Sequence, residues 1–233
     1  MQEYKINSFE EFHVLVTKHN TTNYVYRGHA DTEWKLLPKA GRPEFHDAYR
    51  PNMNEQTVLE SWKRYSQPHL KLQPIDNWDW LTLAQHHGLA TRLLDWTRNP
   101  LVALYFATEH PVENRDTCIY ILDFNNQPIT TELYDPFKII SSGMFYPKGL
   151  AARVISQRGV FTISHMPSTP LNELLPNNTF IKIVIEYQSI KKFRDALELY
   201  SVNEYTIYQD LDALSTQLNR FVQERKPQNV EHL

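Results

Sequence analysis

Cys118 to Phe124 is an apolar run broken only by Asp123, short enough to be a buried strand, and a strand apolar on both faces must be covered on both. Gly159 to Ile163 and Phe180 to Tyr187 are two more β-rich stretches. A sheet interior is therefore expected in the middle of the chain. Helical spacing surrounds it. Val58, Leu59, Trp62 and Tyr65 share one face over residues 55–65, and Leu81, Leu83 and Ala84 do so over residues 80–87, where Gly88 supplies a stop. Asn99-Pro100 predicts a helix start that continues to Thr108, and residues 190–200 and 207–221 return to the same period. Asn23 to Gly28 reads as a short strand closing in a turn, with Arg27 at its end. The sum is an α+β chain with helices clustered in the first half and strands in the middle.

At 233 residues, with 41% hydrophobic residues, the chain can build one sizeable core. Its net charge of −3 gives no global basic footprint, so nucleic-acid affinity would need a local patch. No apolar run approaches the ~18 residues of a membrane span, and charge over residues 1–9 replaces the apolar centre of a signal peptide. A cytoplasmic protein with no membrane contact is expected. Cys118 has no partner cysteine and reads as an inert buried thiol. With 6 glycines against 14 prolines, stiff loops rather than flexible linkers join the elements.

Polar chemistry concentrates in Gln85-His86-His87-Gly88-Leu89-Ala90-Thr91-Arg92-Leu93-Leu94-Asp95-Trp96-Thr97. A cation, an acid and two imidazoles so close in sequence make either a binding pocket or a buried network tying two helices together. In the network reading Arg92 pairs with Asp95. Adjacent His86 and His87 would point about 100° apart on a helix and cannot readily share an ion, so no metal is expected. The sequence contains no Gly-x-Ser-x-Gly elbow and no phosphate-binding glycine string. A magnesium-dependent phosphoesterase built on Asp95, Asp210 and Asp212 is a further alternative, although the last two read as the start of a helix.

Tyr26-Arg27-Gly28, residues 85–97, Asn99-Pro100, Ala103 to Ala107, then Arg153, Gln157, Gly159, Phe161 and Asp210-Leu211-Asp212 resemble the signatures of the FRG domain family over residues 8–222. A polar tail, residues 223–233, follows. Tyr26 stands for the family phenylalanine, Ala90 for a usual proline, and Tyr208-Gln209 and Ala213 for the residues flanking the last motif. The order of elements is, more distantly, similar to the Arg-Ser-Glu branch of the ADP-ribosyltransferase superfamily. There Tyr-Arg-Gly ends the first core strand, a second strand precedes a helix, a buried strand follows, and a Glu-x-Glu turn comes next; Gln157 and Gly159 occupy the two glutamate positions here.

That resemblance implies an α+β single domain with a split mixed β-sheet flanked by helices, a cleft holding NAD as co-substrate, and transfer of ADP-ribose to a macromolecular acceptor, protein or nucleic acid, in a toxin or defence setting. The implied catalytic set is Arg27, His86, His87, Asp95 and Gln157. The implied NAD contacts are Tyr26, Arg27, Gly28, Thr91, Arg92, Trp96 and Gly159, with Tyr26 or Trp96 stacking on a ring. Since an amide at 157 accepts a hydrogen bond but is no base, His86, His87 or Asp95 would have to serve. Otherwise the same cleft binds a nucleotide without turning it over.

Overall fold

The computed structural model describes residues 1–19, 23–124, 126–148, 158–176 and 179–224. Its strands are β1 (Gln2–Ile6), β2 (Tyr24–His29), β3 (Leu93–Thr97), β4 (Thr117–Asp123), β5 (Gly143–Phe145), β6 (Gly159–Ile163) and β7 (Thr179–Ile185). They form one mixed sheet in the order β1-β7-β4-β2-β3-β6-β5. β1 lies parallel to β7, and the other pairings are antiparallel. β2 runs in full register with β4 from Tyr24↔Asp123 to His29↔Cys118, yet it meets β3 only at Tyr26↔Thr97. The sheet is therefore split into a wing β1-β7-β4-β2 and a wing β3-β6-β5 joined at one pair.

Helices cover the wings separately. On the first wing, α1 (Phe9–Lys18) and α5 (Pro100–Thr108) bury Phe12, Leu15, Ala103, Leu104 and Tyr105 against Tyr26, Ile119, Ile121, Ile181 and Ile183. On the second, α3 (Glu55–Ser66) and α4 (Asn77–His86) bury Leu59, Trp78, Leu81 and Ala84 against Leu93, Phe145, Phe161 and Ile163. A third cluster runs beneath the split itself: Val25, Tyr120 and Val184 of one wing pack with Leu94, Trp96, Met144 and Val160 of the other, and α6 (Leu171–Leu174) closes it with Leu171. At roughly 1.5–3 kcal/mol for each large apolar side chain removed from water, this shared cluster holds the wings together where the backbone ladder does not. α2 (Pro43–His46) is a single turn ahead of α3, and the chain ends in α7 (Ile190–Leu199), α8 (Glu204–Tyr208) and α9 (Leu211–Glu224). Among the described residues, no helix is long and apolar enough to cross a membrane.

The helices of residues 55–65, 80–87 and 101–108, and the three central strands, lie where the pattern predicts them to within a few residues. Asn99 caps α5, its side chain accepting from the Leu101 N–H. Cys118 is fully buried, and burial pushes its thiol up to about 12, so it is inert. β3 is the second strand that the resemblance implies ahead of the helix, with Leu93, Leu94 and Trp96 buried from both faces of the sheet. Three features differ from the sequence reading. α1 is set by a Ser8/Glu11 capping box that the apolar pattern alone does not display. β1 and β5 are short edge elements with weak alternation. The expected helix over 207–221 is broken: Gln209 is left-handed at φ 57° and ends α8, and Asp210 then accepts from Ala213 N–H at 2.7 Å to start α9.

Candidate functional site

A cleft of about 990 Å³ opens at the split. β2 contributes Arg27 and His29, the segment after β2 contributes Trp34 and Arg42, the end of α4 contributes Gln85 and His86, β3 contributes Asp95, and β6 contributes Gly159. Gly28 is what lets α5 lie against β2, since a Cβ there would collide with the Ala103 carbonyl and the Ala107 nitrogen. The motif glycine therefore lets α5 form the wall of the cleft that it also lines.

Where β2 and β3 part, side chains take over the bridging. Arg27 donates from one terminal nitrogen to the Asp95 carbonyl at 2.7 Å, and the same nitrogen lies 3.8 Å from the Asp95 carboxylate. Its Nε–H donates to His29 Nε2 at 3.0 Å, while His29 Nδ1 faces the Trp34 carbonyl at 3.3 Å. These contacts require the neutral Nδ1–H tautomer. Burial first, and then the Arg27 charge, push the His29 pKa down to about 3, so the imidazole is a neutral acceptor at physiological pH. Burial also lowers the Arg27 pKa, with Asp95 opposing and the Arg42 charge adding to it, but a guanidinium stays charged throughout. From the other side Thr91 donates to Gln85 Oε1 at 2.5 Å, and Gln85 Nε2 donates to Asp95 Oδ2 at 2.8 Å. Asp95 is thus oriented from two directions while its carboxylate stays largely exposed, its side chain being 58% accessible.

The structure brings Tyr26, Arg27, Gly28, His86, Asp95, Trp96 and Gly159 to one cleft. Thr91, Arg92 and His87 do not line it. Arg92 turns away and pairs with Glu55, not Asp95: its Nε donates to Glu55 Oε2 at 2.9 Å, its backbone N–H to Oε1 at 2.7 Å, and its guanidinium lies over Phe137. Thr91 is wholly buried, its hydroxyl donating to Gln85 and accepting from the Leu93 N–H at 3.2 Å. His87 is exposed outside the cleft beside Trp62. Tyr26 and Trp96 edge the cleft but offer no open ring. The Tyr26 hydroxyl donates to the His19 carbonyl at 2.6 Å, and Trp96 Nε1 donates to Thr162 at 2.9 Å, each ring lying in a core cluster. Gln157 and Arg153 lie outside the described residues. Asp210 and Asp212 do not line the cleft with Asp95.

Sequence reasoning missed several lining residues, among them His29, Trp34, Arg42 and Glu109. His29 is two positions from Arg27 on the same strand face, a signal that period-two reading carries. Trp34, at 48% exposure, is the large ring open to the cleft, yet it sits in a loop without periodicity. Arg42 follows a short helical turn, Lys39–Gly41. Glu109, just past α5, accepts from Tyr105 at 3.1 Å and from Tyr208 at 2.7 Å, which ties the C-terminal motif to the cleft wall. Among the described residues no group of three or more His, Cys, Asp and Glu side chains is arranged to hold a metal ion.

Residues 22–116 match the family model of the FRG domain, a span that runs from β2 through β3 and α5 and includes both sides of the split. Neither a curated protein nor a solved structure matches the chain.

Proposed function

From the FRG-domain match at the split of the sheet, we propose an ADP-ribosyltransferase-like activity: cleavage of the nicotinamide glycosidic bond of NAD and transfer of ADP-ribose to a macromolecular acceptor. One observation carries the reading. A buried guanidinium, Arg27, stands at the mouth of a strand fork, locked by a backbone carbonyl and a neutral imidazole, with an exposed, oriented carboxylate beside it. That is an anion anchor next to a group able to accept a hydrogen bond or a proton. The element order supports it as well: Tyr26-Arg27-Gly28 in β2, then β3, α5, the buried β4, and β6 opening at Gly159 follow the order the resemblance implies.

In this reading Arg27 holds a phosphate of NAD, and its rigid mounting fixes the ligand's register against the reacting bond. Trp34 offers an open ring face to one of the bases. When the glycosidic bond breaks, its electron pair leaves with nicotinamide and positive charge grows on the ribose. The Asp95 carboxylate stabilises that charge and receives the proton of the attacking acceptor hydroxyl, amine or water as the new bond forms. Gln85 keeps Asp95 in position. His86 is another side chain lining the cleft that can carry a proton.

The test is incubation of the protein with NAD labelled on the adenine side, alone and with protein, DNA and RNA acceptors, following free nicotinamide and attached label together. Release that disappears in Arg27→Ala and in Asp95→Asn is the expected result. Retained binding of NAD with no release in any mixture would make the cleft a binding module and end the transferase reading.

A further inference from the structure

Arg42 is a half-buried cation that the described structure leaves without a partner. Of the half-buried arginines described, Arg27 is engaged by Asp95 and His29, Arg92 by Glu55, Arg194 by the Tyr105 ring and Arg220 by Glu198. Among the described residues the Arg42 guanidinium has neither hydrogen bond nor ion pair, although it lines the same cleft as Arg27. It is near enough that its charge acts on both Arg27 and His29.

Two like charges facing one partly desolvated cavity repel, and the repulsion grows as water is excluded. Asp95, 3.8 Å from Arg27 and held by Gln85, offsets the Arg27 charge in part, but no acid pairs with Arg42 among the described residues: Glu109 accepts from two tyrosines, and Glu33 and Glu44 are exposed at the rim. Acids at the rim also disfavour a long polyanion crossing the surface, which leaves a small anion entering from solvent. Its charge must be spread over two groups, because Arg27 is fixed by His29 and the Asp95 carbonyl and cannot swing toward Arg42.

We propose that Arg42 and Arg27 together seat a nucleoside diphosphate group, each guanidinium taking one phosphate. The inference rests on the nucleotide-binding part of the preceding section and makes the diphosphate, rather than a base or a single phosphate, the principal determinant of affinity.

Calorimetric titration with ADP-ribose and with AMP tests it on the wild type, Arg42→Ala and Arg42→Lys. In the wild type ADP-ribose binds at least about tenfold more tightly than AMP, the range expected for one added charge-assisted contact set. Arg42→Ala abolishes that advantage and lowers ADP-ribose affinity about 10- to 100-fold. Its melting temperature does not fall, because no partner is stranded. Arg42→Lys restores part of the advantage. Should the advantage persist in Arg42→Ala, or be missing in the wild type, the proposal is overturned. Arg42-dependent ADP-ribose binding without NAD cleavage would sustain the diphosphate seat and remove only the transferase reading.

Discussion

Two arginine-carboxylate clusters grow from the same motif, and they differ in what is left open. Arg92 and Glu55 close on each other: their side chains are 14% and 8% accessible, both carboxylate oxygens are used, and Phe137 covers the guanidinium. Arg27 and Asp95 stay apart at 3.8 Å, and the acid is 58% accessible. The first cluster pins α3 to the start of β3. The second is oriented but unsaturated. Both set an arginine beside a carboxylate, so exposure of the carboxylate, not its pairing with arginine, separates a rivet from a site.

The largest effect that could break this comparison is on the closed pair. Arg92→Ala leaves Glu55 a buried acid that keeps the backbone N–H of residue 92 but loses its cation, with burial already raising its pKa, and urea unfolding should register a loss of about 3–5 kcal/mol. Replacing both partners, Glu55→Leu with Arg92→Met, should recover most of that loss; failure to recover it would mean the pair does more than fill space.

Next comes the acid response of His29. The native imidazole, at about 3, binds its proton far more weakly than the unfolded one at its ordinary 6.5, so the unfolded chain takes up the proton. This stability contribution is complete above about pH 6.5 and falls away toward pH 3, by on the order of 4 kcal/mol if the native state persists. A thermal-melting series across that range should be visibly flatter for His29→Gln than for the wild type. Parallel curves would place the acid sensitivity elsewhere.

Arg27→Ala removes the donor to the Asp95 carbonyl and to His29, and a loss of about 1–3 kcal/mol is expected alongside loss of NAD binding. A stability loss as large as that of Arg92→Ala would erase the distinction between the clusters. Smallest in stability is Asp95→Asn, within about 0.5 kcal/mol, while any nicotinamide release should fall roughly 10²-fold or more. Differential scanning calorimetry and a turnover assay on the same sample read both.

The sequence carries the central strands, the long helices and the identity of the motif segment, because burial on a period of two or 3.6 leaves its mark residue by residue. It does not carry the partner of Arg92. Glu55 is distant in the chain, and Arg92 and Asp95, though close in sequence, take different partners, Arg92 with Glu55 and Asp95 with Gln85 and Arg27. Nor does it carry the fate of Tyr26 and Trp96, whose rings fill core clusters that exist only once both wings are assembled. Trp34 and Arg42 escaped because loops have no period to read. Gln209 shows the opposite failure: apolar spacing continues through it, and only its left-handed backbone divides α8 from α9.

The split sheet also fixes how the protein can be cut. The chain passes from the first wing to the second between β2 and β3, returns at β4, crosses again to β5 and β6, and comes back at β7 to meet the parallel β1. Neither wing is a contiguous stretch of sequence. No single truncation can release one wing intact, and a nascent chain completes the first wing only when β7 has been made. Such long-range pairing slows folding. The cleft is therefore a late product of synthesis, and a fragment ending at residue 116 would contain most of the motif residues but lack β4, β6 and β7, which hold β2 and β3 in place.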